Sequence, residues 1–348
     1  MKLLIVTQSV DREDPNLGAF YYWFQMLARN VSSLTIIAGR VGITDFPPNV
    51  SVHSFGKDQG YGRMRRIGKF WELFSHHFAL SDAVLFHQIP EFVIASAPFL
   101  IGRTQIAGLW YAHGKVSRCL RLAERLVDHI LTSSEAGFRM PSKKVHHLGQ
   151  AINTDLFCPA GPEMTRGSGA PLRLITVGRI APVKDYETIL NACRILRDTW
   201  PLQWTLSIVG GPLTVSDHRY EAQLKKMVRD CGLEEYITFC GERGYSEIPE
   251  LLRDSDIFLN ASRTGSLDKA VLEAMACGLA VLTFNEAYRT LLPSEYFLIH
   301  KSPAFLAERV KALRDEPRPN EALRAIVVRD HGLEATIHKI IQILGTRV

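Results

Sequence analysis

Cysteine is scarce in this chain of 348 residues: there are six, and no two of them stand in a CxxC pair. The histidine pairs at 76–77 and 146–147 likewise lack partners at metal-ligand spacing. This pattern argues against a disulfide-stapled scaffold and against a zinc-ribbon protein. It predicts reduced, mostly buried thiols in a cytosolic protein without a bound metal.

Long apolar runs are also missing, since no stretch offers the roughly 20 apolar residues that a membrane-spanning helix needs. The longest candidate, FVIASAPFLIG at 92–102, directly follows Glu91. The opening MKLLIVTQSVDRED reaches acidic residues by Asp11, so its short apolar run predicts a first strand rather than a secretory signal. We therefore expect a cytoplasmic protein.

No strong excess of one charge is present: the formal net charge is +5, with 46% hydrophobic and 22% charged residues. Residues 1–170 hold 18 Lys and Arg against 13 Asp and Glu, whereas the remainder holds 23 of each. A modest basic surplus suits phosphates or anionic lipid headgroups, although it more often serves only solubility. The composition predicts a globular protein, and we expect no nucleic-acid partner.

Short β-branched apolar runs alternate with segments of helical period, which is typical of parallel sheets joined by crossover helices. Strands are predicted at 3–7, 34–38, 50–55, 83–87, 106–112, 129–133 and 144–148, and then at 172–178, 204–210, 236–240, 256–260 and 280–284. Late helices are predicted near 302–314, 319–330 and 333–345. The sequence therefore predicts an α/β protein.

Between the two sets of strands lies CPAGPEMTRGSGAP at 158–171, whose Gly, Pro and Ser content predicts a linker. We expect two doubly wound parallel-sheet domains facing each other across a hinge. Their predicted bounds are 1–160 and 172–330, joined by the linker 161–171. A final helix within 331–348 is expected to pack back on the first domain.

Ligands of such sheets bind beyond the carboxyl ends of the strands. The strand 172–178 runs into GRIAPVKDYETIL, where Gly178 permits a tight turn and Pro182 suits the first position of a helix. Arg179 and Lys184 are then expected at one strand-to-helix junction, next to the N–H groups of a helix N-terminus. This combination suits a diphosphate site. An isolated pair of such cations would more often be solvated surface charges, so the prediction depends on the neighbouring motifs.

The next two strands also end in glycine. Gly210 and Gly211 follow the strand 204–210, and Gly241 with Glu242 follows the strand 236–240. Glycine allows backbone to approach a ligand closely, although each motif alone would be only a turn.

A further loop leads into the helix that carries Glu273, in DIFLNASRTGSLDKAVLEAMACG. A carboxylate there can accept two hydrogen bonds from a ribose diol, and the small residues at 264–266 leave room for a sugar.

At this point the sequence resembles the glycosyltransferases of family 4, which are retaining enzymes with the GT-B fold of two Rossmann-like domains facing a central cleft. GRIAPVKDYETIL looks like the family's phosphate-binding phrase, IVGGP like its VGxGP, and LEAMACGLAVL like its xEAMAxGxPV. HLGQAINTDLF at 147–157 is similar to the phrase that precedes the family's linker. The resemblance covers nearly the whole chain.

The resemblance implies a nucleotide-diphosphate sugar such as a UDP- or GDP-sugar as co-substrate, with no further cofactor and no metal. It assigns the donor's diphosphate to Arg179 and Lys184 and its ribose to Glu273. The loops with Gly210, Gly211, Gly241 and Glu242 would border the nucleotide.

Two departures from the family pattern concern the donor sugar and the linker phrase. The family's first acid, eight residues before Glu273, is replaced here by Gly265, followed by Ser266 and Leu267. We hypothesise that Asp268 supplies the missing carboxylate and that Lys269 adds a cation at the start of the helix. Asn153 stands where the family has Asp, and we expect it to have a local structural role.

The first half offers candidates for the acceptor side. Asp14 lies in a polar turn before Gly18, which fits the family's glycine loop but is equally compatible with a helix entry. His87 and Glu91 follow one strand, and His113 follows another. A single strand-end histidine is more often structural, but His113 resembles the family's group near the reacting carbon and is the stronger candidate.

The segment 62–80 carries apolar residues at helical spacing and a cluster of cations at its start. The apolar positions are Met64, Ile67, Phe70 or Trp71, Phe74 and Phe78, and the cations are Arg63, Arg65, Arg66 and Lys69. Such a stripe usually packs in a core. The alternative is an interfacial helix on anionic lipid, which would suit a lipid-linked acceptor and peripheral contact with the inner face of a membrane.

The predicted reaction moves a sugar to a hydroxyl of a glycan, lipid-linked or other acceptor, with retained configuration. Arg179, Lys184 and loop N–H groups would stabilise the leaving diphosphate in place of a metal. The rival interpretation is a catalytically impaired nucleotide-sugar-binding protein or scaffold, because the family's first acid is missing. A dehydrogenase would need GxGxxG after the first strand, which is absent, and a GT-B epimerase or phosphorylase matches the motif order less well.

The Asp-x-Asp at 254–256 is a weak candidate for a metal site. It lies where a helix passes into a strand, so we expect it to be structural.

Overall fold

A computed structural model describes residues 1–161, 170–200, 203–262 and 265–346. The chain divides into two compact units, Met1–Asn153 together with His331–Val348, and Thr154–Asp330. It passes from one unit to the other at Asn153 and Thr154, ahead of the predicted boundary at 160. Most of the predicted linker, 162–169, lies outside the described residues.

The first unit is built on a sheet of seven strands, and every pair of neighbouring strands is parallel. The strands are β1 Lys2–Val10, β2 Ser33–Val41, β3 Val50–Ser54, β4 Ala83–His87, β5 Ile106–Trp110, β6 His129–Thr132 and β7 Val145–His147. Their order is β3-β2-β1-β4-β5-β6-β7. The helices of this unit are α1 Gly18–Asn30, α2 Arg63–Ala79, α3 Pro90–Ala95, α4 Ala97–Leu100, α5 Arg118–Leu126 and, from the end of the chain, α12 Leu333–Leu344.

Both faces of this sheet are buried because successive side chains of a strand point to opposite sides. In β1, Leu3 and Ile5 join a core with α1 and α12, whereas Leu4 and Val6 join a second core with the phenylalanines of α2. The continuous apolar runs of the sequence are therefore those of a two-sided parallel sheet.

The second unit contains a parallel sheet of five strands in the order β10-β9-β8-β11-β12. Its strands are β8 Leu172–Val177, β9 Trp204–Val209, β10 Ile237–Gly241, β11 Ile257–Asn260 and β12 Ala280–Thr283. Its helices are α6 Tyr186–Thr199, α7 Val215–Asp230, α8 Ile248–Arg253, α9 Lys269–Ala276, α10 Pro303–Ala312 and α11 Glu321–His331. All twelve predicted strands are present, which confirms the predicted α/β class with two doubly wound parallel sheets.

Two expectations from the sequence need correction. The thiols are not mostly buried, because only Cys193 and Cys277 are buried and the other four are partly exposed. The stripe of α2 is only partly core: Phe70, Phe74 and Phe78 are buried, but Met64, Ile67 and Trp71 are exposed. None of the described helices is both long and apolar enough to cross a bilayer.

Candidate functional site

The loops that follow β8, β9 and β10 are tied together by their backbones at the carboxyl edge of the five-stranded sheet. The N–H of Gly178 donates to Val209 O at 2.9 Å, and the N–H of Ile180 donates to Gly211 O at 2.9 Å. The N–H of Gly210 donates to the carbonyl of Gly241, also at 2.9 Å. The predicted glycine loops therefore form one continuous backbone surface.

Gly210 is required at this junction by two independent features. Its φ is +135°, a conformation that side chains rarely adopt, and an added Cβ would lie 2.1 Å from the carbonyl oxygen of Gly178. Gly211 is similarly crowded, since its Cβ would lie 2.5 Å from a side-chain carbon of the exposed Glu242.

Lys184 points at the loop of Gly178, where its side chain would contact any Cβ added to that glycine. It ends a short 3-10 turn, Pro182–Lys184, so it precedes the helix α6 rather than lying in its first turn as predicted. Asp185 separates the two with φ +52° and caps α6 by accepting from the N–H of Thr188. Asp185 is also ion-paired with Lys301.

The ammonium of Lys184 is ion-paired with the carboxylate of Asp268, although 84 residues separate them. Both side chains are mostly buried, with 18% and 12% of their surface exposed. The same carboxylate oxygen accepts a hydrogen bond from Nδ2 of Asn260 at 3.1 Å. The predicted phosphate cation and the predicted sugar carboxylate are therefore brought into direct contact.

Asp268 is held in place by residues at the ends of β11 and β12 and in the loop after β12. Thr283 donates to Oδ1 of Asn260 at 2.9 Å, which orients the amide so that its Nδ2 faces Asp268. The hydroxyl of Tyr288 donates to the backbone carbonyl of Asp268 at 2.6 Å. Nδ2 of Asn285 donates to the carbonyl of Ser266 at 2.8 Å.

The reshaped loop before α9 is thus anchored at several points. Gly265 adopts φ +66° and Leu267 is buried, while Thr264 lies outside the described residues. Asp268 occupies the N-cap position of α9, but its side chain does not cap the helix. Its carboxylate is instead directed at Lys184 and Asn260.

Glu273 is buried, with 4% of its surface exposed, and its Oε1 accepts a hydrogen bond from the hydroxyl of Tyr245 at 2.7 Å. Burial raises the pKa of Glu273 to about 7, against the opposing effects of Lys269 and Tyr245. The ammonium of Lys269 is buried one helical turn earlier, and this burial lowers its pKa to about 8. Burial therefore disfavours the charged forms of both Glu273 and Lys269.

Arg179 is exposed at the same edge, with its Nε 4.0 Å from Oδ2 of Asp217. Asp217 belongs to a capping box with Thr214 at the start of α7. Burial would raise the pKa of Asp217, but hydrogen bonds from Thr214 and Leu213 and the charge of Arg179 outweigh it and lower that pKa. The guanidinium thus lies beside a carboxylate that stays ionised.

His87 is buried rather than exposed at the surface of the first unit. Only 3% of its surface is exposed, and its Nδ1 is hydrogen-bonded to the hydroxyl of Thr7 at 3.0 Å. The rings of Phe20, Trp23 and Phe24 pack around it, with centroids 4.0, 6.4 and 6.1 Å away. His87 is placed as a core residue of the first unit.

The other candidates of the first unit are closer to its surface. His113 is exposed beside Tyr111, with ring centroids 5.5 Å apart, and desolvation lowers its pKa. Glu91 is exposed in the first turn of α3. The carboxylate of Asp14 accepts hydrogen bonds from the N–H groups of Asn16 and Leu17, and its backbone carbonyl accepts one from the N–H of Gly18. Asp14 and Gly18 therefore form the entry to α1.

The Asp-x-Asp pair has structural partners. Asp256 is buried, accepts from the backbone N–H of Arg173 at 2.6 Å and is ion-paired with Arg318. Asp254 lies 3.7 Å from Arg173. In the described part of the chain, no group of three or more His, Cys, Asp or Glu side chains is placed to hold a metal ion.

Sequence reasoning missed the residues that orient Asp268 and Glu273. Asn260 is the last residue of its strand, and Asn285 comes two residues after the end of another, so strand-end position could have identified both. Tyr245 and Tyr288 lie in short 3-10 turns and carried no comparable signal.

Residues 167–324 match the family model described as glycosyl transferases group 1. The chain is 28% identical over 180 residues to a D-inositol 3-phosphate glycosyltransferase of Thermomonospora curvata, covering 49% of this chain and 42% of that protein. It is 34% identical over 150 residues to the amylovoran biosynthesis glycosyltransferase AmsK of Erwinia amylovora, covering 41% of this chain and 34% of that protein. The chain thus spans less than half the length of these curated relatives.

Similar solved structures extend over nearly the whole chain. Anabaena Alr3699/HepE, solved in complex with UDP and glucose, superimposes with a TM-score of 0.76 and covers 99% of this chain and 100% of its own. The sequence identity is 16%, so this likeness establishes the shared GT-B fold.

Proposed function

We propose that the protein transfers a sugar from a nucleotide diphosphate to a hydroxyl group of an acceptor, and the match of residues 167–324 to the model described as glycosyl transferases group 1 supports this proposal. The observation that carries the proposal is the cluster at the carboxyl edge of the five-stranded sheet. There Lys184, Asp268 and Asn260 meet beside the glycine loops.

The leaving diphosphate is the first requirement of this reaction. Lys184 lies next to the loop of Gly178, and Arg179 extends from the same loop with an exposed guanidinium. Cations at fixed positions stabilise the charge that develops on a leaving diphosphate as its bond to the sugar breaks. We propose that these two cations do this without a metal ion.

The nucleoside is the second requirement. Glu273 keeps one carboxylate oxygen on Tyr245, and an ionised carboxylate offers further acceptor positions for a ribose diol. We propose that Glu273 binds the ribose of a UDP- or GDP-sugar and that Gly210, Gly211, Gly241 and Glu242 border the nucleotide.

The donor sugar is the third requirement. The carboxylate of Asp268 is directed by Asn260 and Lys184 rather than capping its own helix. Gly265 stands at the position where the resemblance expects an acidic residue, and we propose that Asp268 takes the place of that acid. Ser266 and Leu267 would line the sugar, and Lys269 would add positive charge. His113 is proposed to lie near the reacting carbon, and retained configuration is part of the proposal.

The acceptor is proposed to be a glycan, a lipid-linked sugar or another hydroxyl compound, bound near Asp14, Gly18 and Glu91. We further propose a cytoplasmic location with peripheral contact at the inner face of a membrane. The exposed basic and apolar start of α2 supports the last point.

The test is turnover of a panel of UDP- and GDP-sugars by the unaltered chain and by Asp268→Asn. We expect transfer or slow donor hydrolysis with at least one donor, and about a hundredfold lower rate in Asp268→Asn. Asp254→Asn is the matched control, because Asp254 is half exposed and precedes β11, so it lies at the opposite edge of the sheet from Asp268. Full turnover in Asp268→Asn would remove Asp268 from the mechanism.

The rival function is nucleotide-sugar binding without catalysis, which is favoured by Gly265 at the position of the family's first acid. It predicts that a donor raises the melting temperature in proportion to the logarithm of its concentration while no product forms. Stabilisation by a donor without turnover of any donor in the panel would support this rival.

A further inference from the structure

The loop after β10 lies where the nucleoside of the donor is expected. In the sheet order β10-β9-β8-β11-β12, the loop of Lys184 follows β8 and that of Asp268 follows β11, so the sugar is expected on the β11 side of the diphosphate. The nucleoside would then extend the other way, over the carboxyl ends of β9 and β10. Tyr245 begins the short turn after β10, and its hydroxyl donates to Glu273 at 2.7 Å. A ribose on Glu273 would therefore place its base beside residues 241–244.

Glu242 is the residue of this loop whose charge is not offset. Glu247 accepts a hydrogen bond from the N–H of Gly244 at 2.7 Å and lies 3.6 Å from Arg243, so the charges of Glu247 and Arg243 offset each other. Glu242 is exposed, and none of the described residues donates a hydrogen bond to its carboxylate or forms an ion pair with it. This carboxylate can therefore accept hydrogen bonds from a ligand.

Gly211 determines where the side chain of Glu242 lies. A Cβ added to Gly211 would lie 2.5 Å from Cγ, 3.1 Å from Cδ and 3.2 Å from Oε1 of Glu242. The side chain of Glu242 thus lies against the glycine loop after β9, where residue 211 has no side chain to displace it. The N–H of Gly210 donates to the carbonyl of Gly241 at 2.9 Å, so the two loops are joined next to this contact. The carboxylate therefore borders the backbone surface on which the nucleotide is proposed to lie.

A carboxylate distinguishes nucleobases by the hydrogen-bonding groups on their edges. Guanine offers two adjacent donors, N1–H and the exocyclic amine N2–H, which match the two oxygens of a carboxylate. Uracil offers a single donor, N3–H, between two carbonyl oxygens that a carboxylate repels. Adenine and cytosine each place an acceptor nitrogen beside their amine. A carboxylate at this position therefore favours guanine over the other three bases.

We propose that Glu242 is a specificity-determining residue that selects a guanosine diphosphate donor over a uridine diphosphate donor. The inference rests on the proposed function, and it narrows the donor from a UDP- or GDP-sugar to a GDP-sugar. Uridine nucleotides remain weaker ligands, because the contacts proposed for the diphosphate and the ribose are common to both donors.

Isothermal titration calorimetry of the full chain with GDP, UDP and IDP tests this selection. We expect GDP to bind about thirtyfold more tightly than UDP, because two hydrogen bonds to a charged group are gained and a repulsion is avoided. IDP lacks only the exocyclic amine of guanine, so it should bind about tenfold more weakly than GDP. The KM values for hydrolysis of GDP-glucose and UDP-glucose, which differ only in the base, should follow the same order.

Two variants should reduce the selection by different routes. Glu242→Gln keeps the shape of the side chain but replaces one acceptor oxygen with a donor amide. It should bind GDP about tenfold more weakly, GDP and IDP nearly equally, and UDP about threefold more tightly. Gly211→Ala keeps the carboxylate but places a methyl group where the side chain of Glu242 lies, so it should also lower the preference for GDP.

Glu235→Gln is the matched control. It removes the same charge at an exposed position just before β10, which is the opposite edge of the sheet from Glu242. All three nucleotide affinities should be unchanged in this variant.

The outcomes separate this inference from the proposed function. Equal binding of GDP and UDP, tighter binding of UDP, or a preference for GDP that survives Glu242→Gln would overturn the role of Glu242 and leave the proposed sugar transfer standing. An equal loss in Glu235→Gln would also overturn it, because net charge rather than position would then decide the affinity. Failure of all three nucleotides to bind would overturn both proposals. Circular dichroism of every variant separates loss of binding from loss of folding.

Discussion

At the scale of single residues, Glu273 is a group whose negative charge the fold opposes. The pKa of the Glu273 carboxyl group is 4.5 in the unfolded chain, whereas burial raises this pKa to about 7 in the folded protein. The folded state therefore binds more protons between these values, and Glu273 makes the protein less stable as the pH rises through them. A carboxylate kept in so costly a place is consistent with a ligand-binding role.

We expect the affinity for UDP to fall by about tenfold in total as the pH is lowered from 8 to 5, because only the ionised carboxylate accepts both ribose hydroxyls. Isothermal titration calorimetry between pH 5 and pH 8 measures this dependence. In Glu273→Gln the part of the pH dependence that Glu273 contributes should disappear, and the affinity at pH 8 should drop about tenfold.

A nucleotide control isolates the ribose contact. The unaltered chain should bind 2′-deoxy-UDP about tenfold more weakly than UDP, whereas Glu273→Gln should bind the two nearly equally. Unchanged discrimination in the variant would show that Glu273 does not contact the ribose.

The ion pair between Lys184 and Asp268 leads to a separate prediction about UDP binding and sugar transfer. Asp268 competes with the diphosphate for Lys184, so Asp268→Asn should bind UDP about fivefold more tightly while it transfers sugar more slowly. Lys184→Gln should instead lower the affinity for UDP about tenfold. Calorimetry on both variants checks the opposite signs, and a weaker complex in Asp268→Asn would contradict the competition.

At the scale of the structural elements, the junction of the β8 and β9 loops is the least tolerant point of the candidate site. Gly210→Ala would place a methyl group 2.1 Å from a backbone oxygen at φ +135°. We expect about 2–4 kcal/mol loss of stability in urea unfolding, together with loss of UDP binding.

Gly241→Ala is the matched control for this prediction. It has a positive φ of +71° but nothing within 4 Å of an added Cβ, so it should cost only about 1 kcal/mol. Equal costs in the two variants would mean that backbone conformation, and not the close approach, decides the effect.

The elements were predictable because each left a local pattern in the sequence. Continuous apolar runs such as LLIVT and LTIIA gave the parallel strands, and Gly178, Gly210 and Gly241 marked the turns after three of them. The GT-B fold was likewise predicted correctly.

What could not be read from the sequence depends on contacts between distant residues. The pairing of Lys184 with Asp268 spans 84 residues, and that of Tyr245 with Glu273 spans 28. The burial of His87 depends on the aromatic side chains of α1, and the exposure of Met64 depends on where the core ends. The roles of the individual site residues stay predictions.

At the scale of the whole molecule, the first unit is completed by the end of the chain. Ile337, Ile340 and Leu344 of α12 join the core formed by β1 and α1. The hydroxyl of Thr336 donates to Leu148 O at 3.1 Å, and Leu333 N donates to Ile152 O at 2.8 Å. The helix is therefore an integral part of that core.

We expect Ile340→Ala to destabilise the first unit by about 2–4 kcal/mol, because the side chain is fully buried and leaves a cavity. Hydrogen exchange followed by mass spectrometry should show loss of protection in β1 and α1. Protection of β8 and β9 in the second unit should be unchanged. Equal loss in both units would mean that they unfold as one.

The return of α12 means that the first unit, although it begins the chain, receives its last core residues after the second unit has been synthesised. Residues 154–330 are contiguous, so the second unit has its whole sequence as soon as that stretch has left the ribosome. The first unit begins earlier, yet its apolar face stays exposed to solvent until residues 333–344 emerge. The nascent chain therefore exposes the partner face of α12 throughout translation of residues 154–330, and that interval is when a holdase chaperone would be needed most.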